Sequence, residues 1–159
     1  DEAELALYLT YGQIFTGLLS ILNAAYINGI LVNRERSRYD FKSDLLPGLI
    51  TATLYLSISP IFIIYFARGL ENSSPLLFLG TLNLLLSGVA LATGSKFYSV
   101  NRPNFRIFGM LSQGVCFVVG LIFLGDSPSY VSYQFIISFS IVANISTNIL
   151  VLNSKYVEI

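Results

Sequence analysis

Five stretches of this chain are nearly free of charge, and each approaches the ~20 residues that an α-helix needs to cross a ~30 Å hydrocarbon core. They run over Leu5–Val32, Leu45–Ala67, Leu76–Gly94, Phe105–Leu124 and Tyr130–Leu152. The linkers between them are too few and too short to supply a polar shell, and only 11% of residues are charged, where a soluble domain carries about a quarter. The apolar runs are continuous, without the alternation of a membrane β-barrel. The expectation is therefore one all-α domain over residues 1–159, a polytopic integral membrane bundle of five transmembrane helices with short loops. A cellular membrane, the plasma membrane in particular, is its expected place, and the lipid bilayer its first partner.

Prolines and capping residues mark where the helices begin. Pro47, Pro75, Pro103 and Pro128 sit just before or inside the start of an apolar run, where the missing N–H would have been unsatisfied anyway. Asp44, Ser74, Asn101 and Ser127 are the matching cap candidates. Pro60 lies inside the second run and removes a backbone donor there, so a kink is expected. A faint echo relates Pro47, Leu49, Thr53 and Ser59 to Pro75, Leu77, Thr81 and Ser87 at constant offset. Such matches are cheap in apolar helices, and chance accounts for them.

The distribution of Lys and Arg sets an orientation. Arg34, Arg36, Arg38 and Lys42 follow the first run, Lys96, Arg102 and Arg106 lie between the third and fourth, and Lys155 follows the fifth. Only Arg68 falls on the other side. Short cytoplasmic loops carry the excess of positive charge, so the C-terminus is expected inside and the N-terminus, with Asp1, Glu2 and Glu4, outside. Tyr8, Tyr11, Tyr65, Tyr130 and Tyr133 then fall near outer ends, and Tyr39, Tyr98 and Tyr156 near inner ends, which suits phenol rings in the headgroup layer. A cleaved signal peptide upstream would account for an outer N-terminus and a first residue other than Met; a start further upstream explains the residue equally well.

Small and polar residues recur at helical spacing. The first run carries Gln13, Gly17, Ser20, Ala24 and Asn28; the third, Gly80, Asn83, Ser87, Ala90 and Gly94. Gly109, Gln113, Cys116 and Gly120 follow on the fourth, and Ser140, Asn144, Thr147 and Asn148 on the fifth. At 3.6 residues per turn each set lies along one face, and each face is expected to point into the bundle. Gln13, Asn28, Asn83, Gln113, Asn144 and Asn148 are the residues of interest. They serve either as helix-packing contacts, through interhelical amide bonds, or as contacts for a polar solute in a lumen.

The remaining chemistry is mostly exclusion. There is no His, the commonest ligand for zinc or copper and a frequent haem ligand. Cys116 is the only thiol and has no imidazole to activate it, so it reads as a small packing residue. No Asp, Glu, Lys, Arg or His lies mid-helix, which argues against proton relays and voltage sensing. Zero formal net charge leaves no basic field for nucleic acid. The loop from Asn33 to Asp44 reads as a topology anchor or as a docking site for a cytoplasmic protein or anionic headgroups. Asn72-Ser73-Ser74 is a glycosylation sequon by pattern, although Pro75 and the nearby membrane argue against its use; Asn144-Ile145-Ser146 lies inside a helix. No catalytic residue, cofactor or metal is expected. The leading expectation is a non-catalytic subunit that scaffolds or anchors a larger membrane complex, with other membrane subunits or itself as partner. The alternative is a small oligomeric transporter or channel subunit for a neutral or weakly polar solute.

Overall fold

A computed structural model describes residues 2–33, 41–66, 74–124 and 129–154. They form five α-helices: α1 (Glu2–Asn33), α2 (Phe41–Phe66), α3 (Ser74–Ser99), α4 (Arg106–Leu124) and α5 (Tyr130–Leu152). There is no strand among the described residues. Each helix covers one of the apolar runs, and α5 has the expected bounds. The prolines deviate most. α2 begins at Phe41, so Asp44 is not a cap and both Pro47 and Pro60 lie inside the helix. Two of its threonines bond back to its own backbone: Thr51 Oγ1 donates to the carbonyls of Pro47 and Gly48 at 3.0 Å, and Thr53 Oγ1 to Leu49 at 2.8 Å. Bonding to a carbonyl one turn back satisfies a hydroxyl where no water is at hand.

Asn101 caps the end of α3 and not the start of α4. Its φ of 57° places it in the left-handed region, which asparagine tolerates better than most residues. The Arg102 N–H donates to the Phe97 carbonyl at 2.8 Å and the Asn101 N–H to the Tyr98 carbonyl at 3.2 Å, the paired bonds of a Schellman motif. A short 3₁₀ turn, Pro103–Phe105, leads into α4 with Pro103 in its first positions. At α5 the cap is Ser129, whose Oγ accepts from the Ser132 N–H at 3.2 Å. Ser127 and Pro128 lie outside the described residues.

α3 is the central helix. It packs on α1 and α2 along one side and on α5 along another, while α4 packs on α5 and meets α3 only near the connecting turn. The consequence shows in burial: half of the α3 span is enclosed by the bundle, against 6% of the α4 span. The α2–α3 crossing depends on two glycines. A Cβ placed on Gly88 would lie 2.9 Å from the Cα of Gly48, and one placed on Gly48 would lie 3.0 Å from the Cα of Gly88. The two backbones touch because neither carries a side chain, as small residues allow in membrane helices. One flank of this contact is aromatic: Tyr55 of α2 is buried over Gly80 of α3, with the Tyr11 ring at 6.2 Å and the Phe15 ring edge-on at 6.4 Å.

Among the described residues, three helices are long and apolar enough to cross a membrane: the spans run over Pro75–Tyr98, Pro103–Leu124 and Val131–Leu152, with mean hydropathies of 1.9, 2.2 and 2.0. In α2 the apolar stretch among the described residues is Leu46–Ile61, shorter than the ~20 residues a bilayer crossing takes. α1 carries a denser mix of polar side chains. The outward surfaces of α4 and α5 carry large apolar groups such as Ile122, Phe123, Phe139 and Leu150, as lipid contact requires and water does not favour.

Candidate functional site: an amide network between α3, α4 and α5

The amides of α3, α4 and α5 meet at two levels. At the first, Asn83 of α3 is fully buried. Its Nδ2 donates to Gln134 Oε1 at 2.7 Å and to the Gln134 carbonyl at 3.3 Å, while its Oδ1 accepts from Ser138 Oγ at 2.6 Å. Donor and acceptor sides are both used, so one amide ties α3 to α5. Gln134 and Ser138 are absent from the stripe read from sequence on α5. Their i, i+4 spacing was the available signal, but it is a common one.

At the second level, about 15 Å along α5 at 1.5 Å per residue, the chain of bonds reaches three helices. Asn148 Nδ2 donates to Asn144 Oδ1 at 2.8 Å and weakly, at 3.4 Å, to Thr93 Oγ1 of α3. Asn144 Nδ2 then donates to Gln113 Oε1 of α4 at 2.7 Å. Ser112 adds a bond across to the Ala143 carbonyl at 3.3 Å. Asn148 Oδ1 is buried with no hydrogen-bond partner. It is turned, with Asn144 Oδ1, toward the space that a Cβ on Gly109 would fill. Gly109 thus lets α4 close over the amides, and its Cα–H groups are weak donors facing the orphaned oxygen.

Four of the six singled-out residues, Asn83, Gln113, Asn144 and Asn148, therefore take part in interhelical bonding. The other two do not join them. Gln13 and Asn28 lie exposed on α1, together with Gly17, Ser20 and Ala24. The face of α1 turned to the bundle is instead Tyr11, Leu18 and Leu22, so the expected inward polar face of α1 is reversed. The cause is the aromatic contact with Tyr55: the flat, apolar side of α1 fits the α2–α3 surface, and rotation about the helix axis follows from that fit. Among the described residues nothing hydrogen-bonds to Gln13.

Arg34, Arg36 and Arg38 lie outside the described residues, and Lys42 falls in the first turn of α2 with its side chain likewise outside them. No group of three or more His, Cys, Asp or Glu side chains is gathered among the described residues. Cys116 is half-buried on α4, at a shallow groove floored by Gly120 and rimmed by Phe123, Phe135 and Phe139. A second shallow groove follows α1 along Leu9, Gln13, Thr16 and Ser20. Both grooves are on the outer surface, and neither includes a residue of the amide network.

A double-mutant cycle measures how firmly the network holds. Gln113→Leu and Asn144→Leu, made singly and together, should show a coupling of about 0.6–1.7 kcal/mol in detergent unfolding, the range found for such bonds in membrane helices. Strict additivity would mean that the 2.7 Å contact contributes nothing to stability.

Fold and network together define an all-helical bundle, amide-bonded in its interior, with three helices able to cross a membrane. Compared with protein-family models, curated proteins and solved structures, the chain matches none.

Proposed function

We propose that the chain is a non-catalytic integral membrane subunit that scaffolds or anchors a larger assembly, with all five helices crossing the plasma membrane, the N-terminus outside and the C-terminus in the cytoplasm. The observation that carries this reading is the outward polar face of α1. Gln13, Ser20 and Asn28 are exposed on a helix whose other side packs into the bundle. An amide turned to hydrocarbon without a partner costs several kcal/mol, and a second protein helix removes that cost. Small residues at Gly17 and Ala24 on the same face would let such a helix approach closely.

A solute path along the Asn and Gln faces draws less support. Transport would need amides open to a passing molecule, whereas those of Asn83 and Asn144 are already bonded to neighbouring helices. The orientation rests on the eight-to-one partition of Lys and Arg between the two sides.

The test is purification from the native membrane in mild detergent, followed by identification of what co-migrates. A stoichiometric membrane partner, or a stable homo-oligomer joined through α1, is expected with the natural chain. Gln13→Leu combined with Ser20→Leu should release it while helical content and unfolding of the single chain stay unchanged. A lone monodisperse monomer would sink the proposal.

A further inference from the structure

Between Glu71 and Asp126 the chain contains only three charged residues, and all three are basic: Lys96, Arg102 and Arg106. The fold gathers them at one end of the bundle. Lys96 lies in the last turn of α3, Arg102 immediately after the Schellman turn, and Arg106 at the first residue of α4. This corner is well fixed. Phe97 is fully buried, its ring stacks on Phe105 at 6.5 Å, and Phe105 meets Phe108 at 6.0 Å.

The Arg106 side chain lies flat along α3. Its Nε, Cδ and Cγ sit 3.3–3.6 Å from the place a Cβ on Gly94 would take, so the missing side chain forms the slot that holds the guanidinium between the two helices. Arg106 is half-buried and Arg102 exposed, and no described acidic residue pairs with either. The first turn of α4 contains no acidic residue, and Arg102, at the cap of the turn before it, makes no side-chain cap bond. Two arginines held at a corner between helices, with no acidic partner among the described residues, match the charge and geometry of a lipid phosphate. Arg can meet such a phosphate with paired N–H bonds, and basic pockets between spanning helices on the cytoplasmic side take anionic headgroups.

We propose that Arg102 and Arg106 bind the phosphate headgroup of an anionic membrane lipid at the α3–α4 corner. The proposal rests on α3 and α4 crossing a bilayer, and it is independent of any protein partner on α1. The experiment is native mass spectrometry of the full chain in detergent, titrated with phosphatidylglycerol or with phosphatidylcholine of the same acyl chains. The natural chain should prefer the anionic lipid by about 30-fold, which corresponds to about 1 kcal/mol for each of two arginines. Arg102→Gln with Arg106→Gln should bring the two lipids to within about threefold of each other, whereas Arg102→Lys with Arg106→Lys, which keeps the charge, should retain most of the preference. Equal affinity of the natural chain for the two lipids would overturn the proposal. So would an unchanged preference in the glutamine variant, or its loss in Arg34→Gln, Arg36→Gln, Arg38→Gln with the corner intact. Inorganic phosphate in millimolar excess should leave the bound lipid in place, since it lacks the acyl chains; displacement would assign the corner to free phosphate instead. A chain that dissolves without detergent would remove the membrane reading itself, separately from these outcomes.

Discussion

Gly88→Ala is expected to destabilise the bundle by about 1–3 kcal/mol relative to Gly114→Ala, measured by unfolding in mixed detergent followed by helical circular dichroism. Both substitutions gain helix propensity of up to about 1 kcal/mol, so that contribution cancels in the comparison. What differs is the space. A methyl group on Gly114 meets nothing within 4 Å, whereas on Gly88 it lies 2.9 Å from the Cα of Gly48. A side-chain neighbour could rotate away, but a backbone atom can move only with its helix. α2 and α3 must therefore separate, and the contacts of Tyr55, Ala52 and Leu84 in the adjoining core loosen with them. Overpacking of this kind typically costs about 1–3 kcal/mol. Equal stability of the two alanine variants would show that the α2–α3 crossing is not set by the glycine pair.

Gly109→Ala is the second large effect, and its physical origin differs. The added Cβ collides with Asn148 Oδ1 and Asn144 Oδ1, the ends of side chains that are free to turn only by giving up their bonds. If Asn144 turns, its bond to Gln113 is lost, and if Asn148 turns, its bond to Asn144 is lost. A destabilisation of about 1–3 kcal/mol is expected, concentrated on α4, which relies on α5 for its packing. A readout specific to α4 is cross-linking between Ser112→Cys and Ala143→Cys, with Cys116 replaced by serine; Gly109→Ala should reduce its yield. The decisive comparison adds Asn148→Ala, which removes one of the colliding oxygens. Gly109→Ala should cost less in that background than in the natural chain, because the two changes act on the same contact. A cost that is the same in both backgrounds would separate Gly109 from the amides.

These two glycines show what was hard to read in advance. Gly80 and Gly109 belong to polar stripes whose period places each set on one face of its helix. Gly48 and Gly88 have no such mark, because an isolated glycine in an apolar helix carries no sign of which backbone will approach it. The amides of Asn83, Gln113, Asn144 and Asn148 were legible as polar groups in need of partners. Their pairing was not, since any amide can bond with any other and sequence alone sets no distance between helices. The same holds for Gln134: it lies on the α5 face that meets α3, and that face is distinguishable only once α3 is in place.

α1 is the sharpest case. Its polar stripe has the same 3.6-residue period as those on α3 and α5, yet Gln13 and Asn28 point away from the bundle while Tyr11, Leu18 and Leu22 point in. The period fixes which residues share a face but not which face is covered, and the side of α1 that packs is the one bearing Tyr11 and Leu18 against Tyr55 and the α2–α3 surface.

The amino-acid sequence by itself determined the five helices; it led to the expectation of five crossings, and among the described residues three helices, α3, α4 and α5, are long and apolar enough to make one. Length and hydropathy act locally along the chain and need no partner to be read. Only the tertiary structure decided where α2 begins, which face of each helix is covered and which amides meet. Those outcomes depend on backbone contacts such as Gly48 with Gly88 and on side-chain shapes brought together from distant parts of the chain. A helix rotated by half a turn would keep every local preference and lose every one of those contacts.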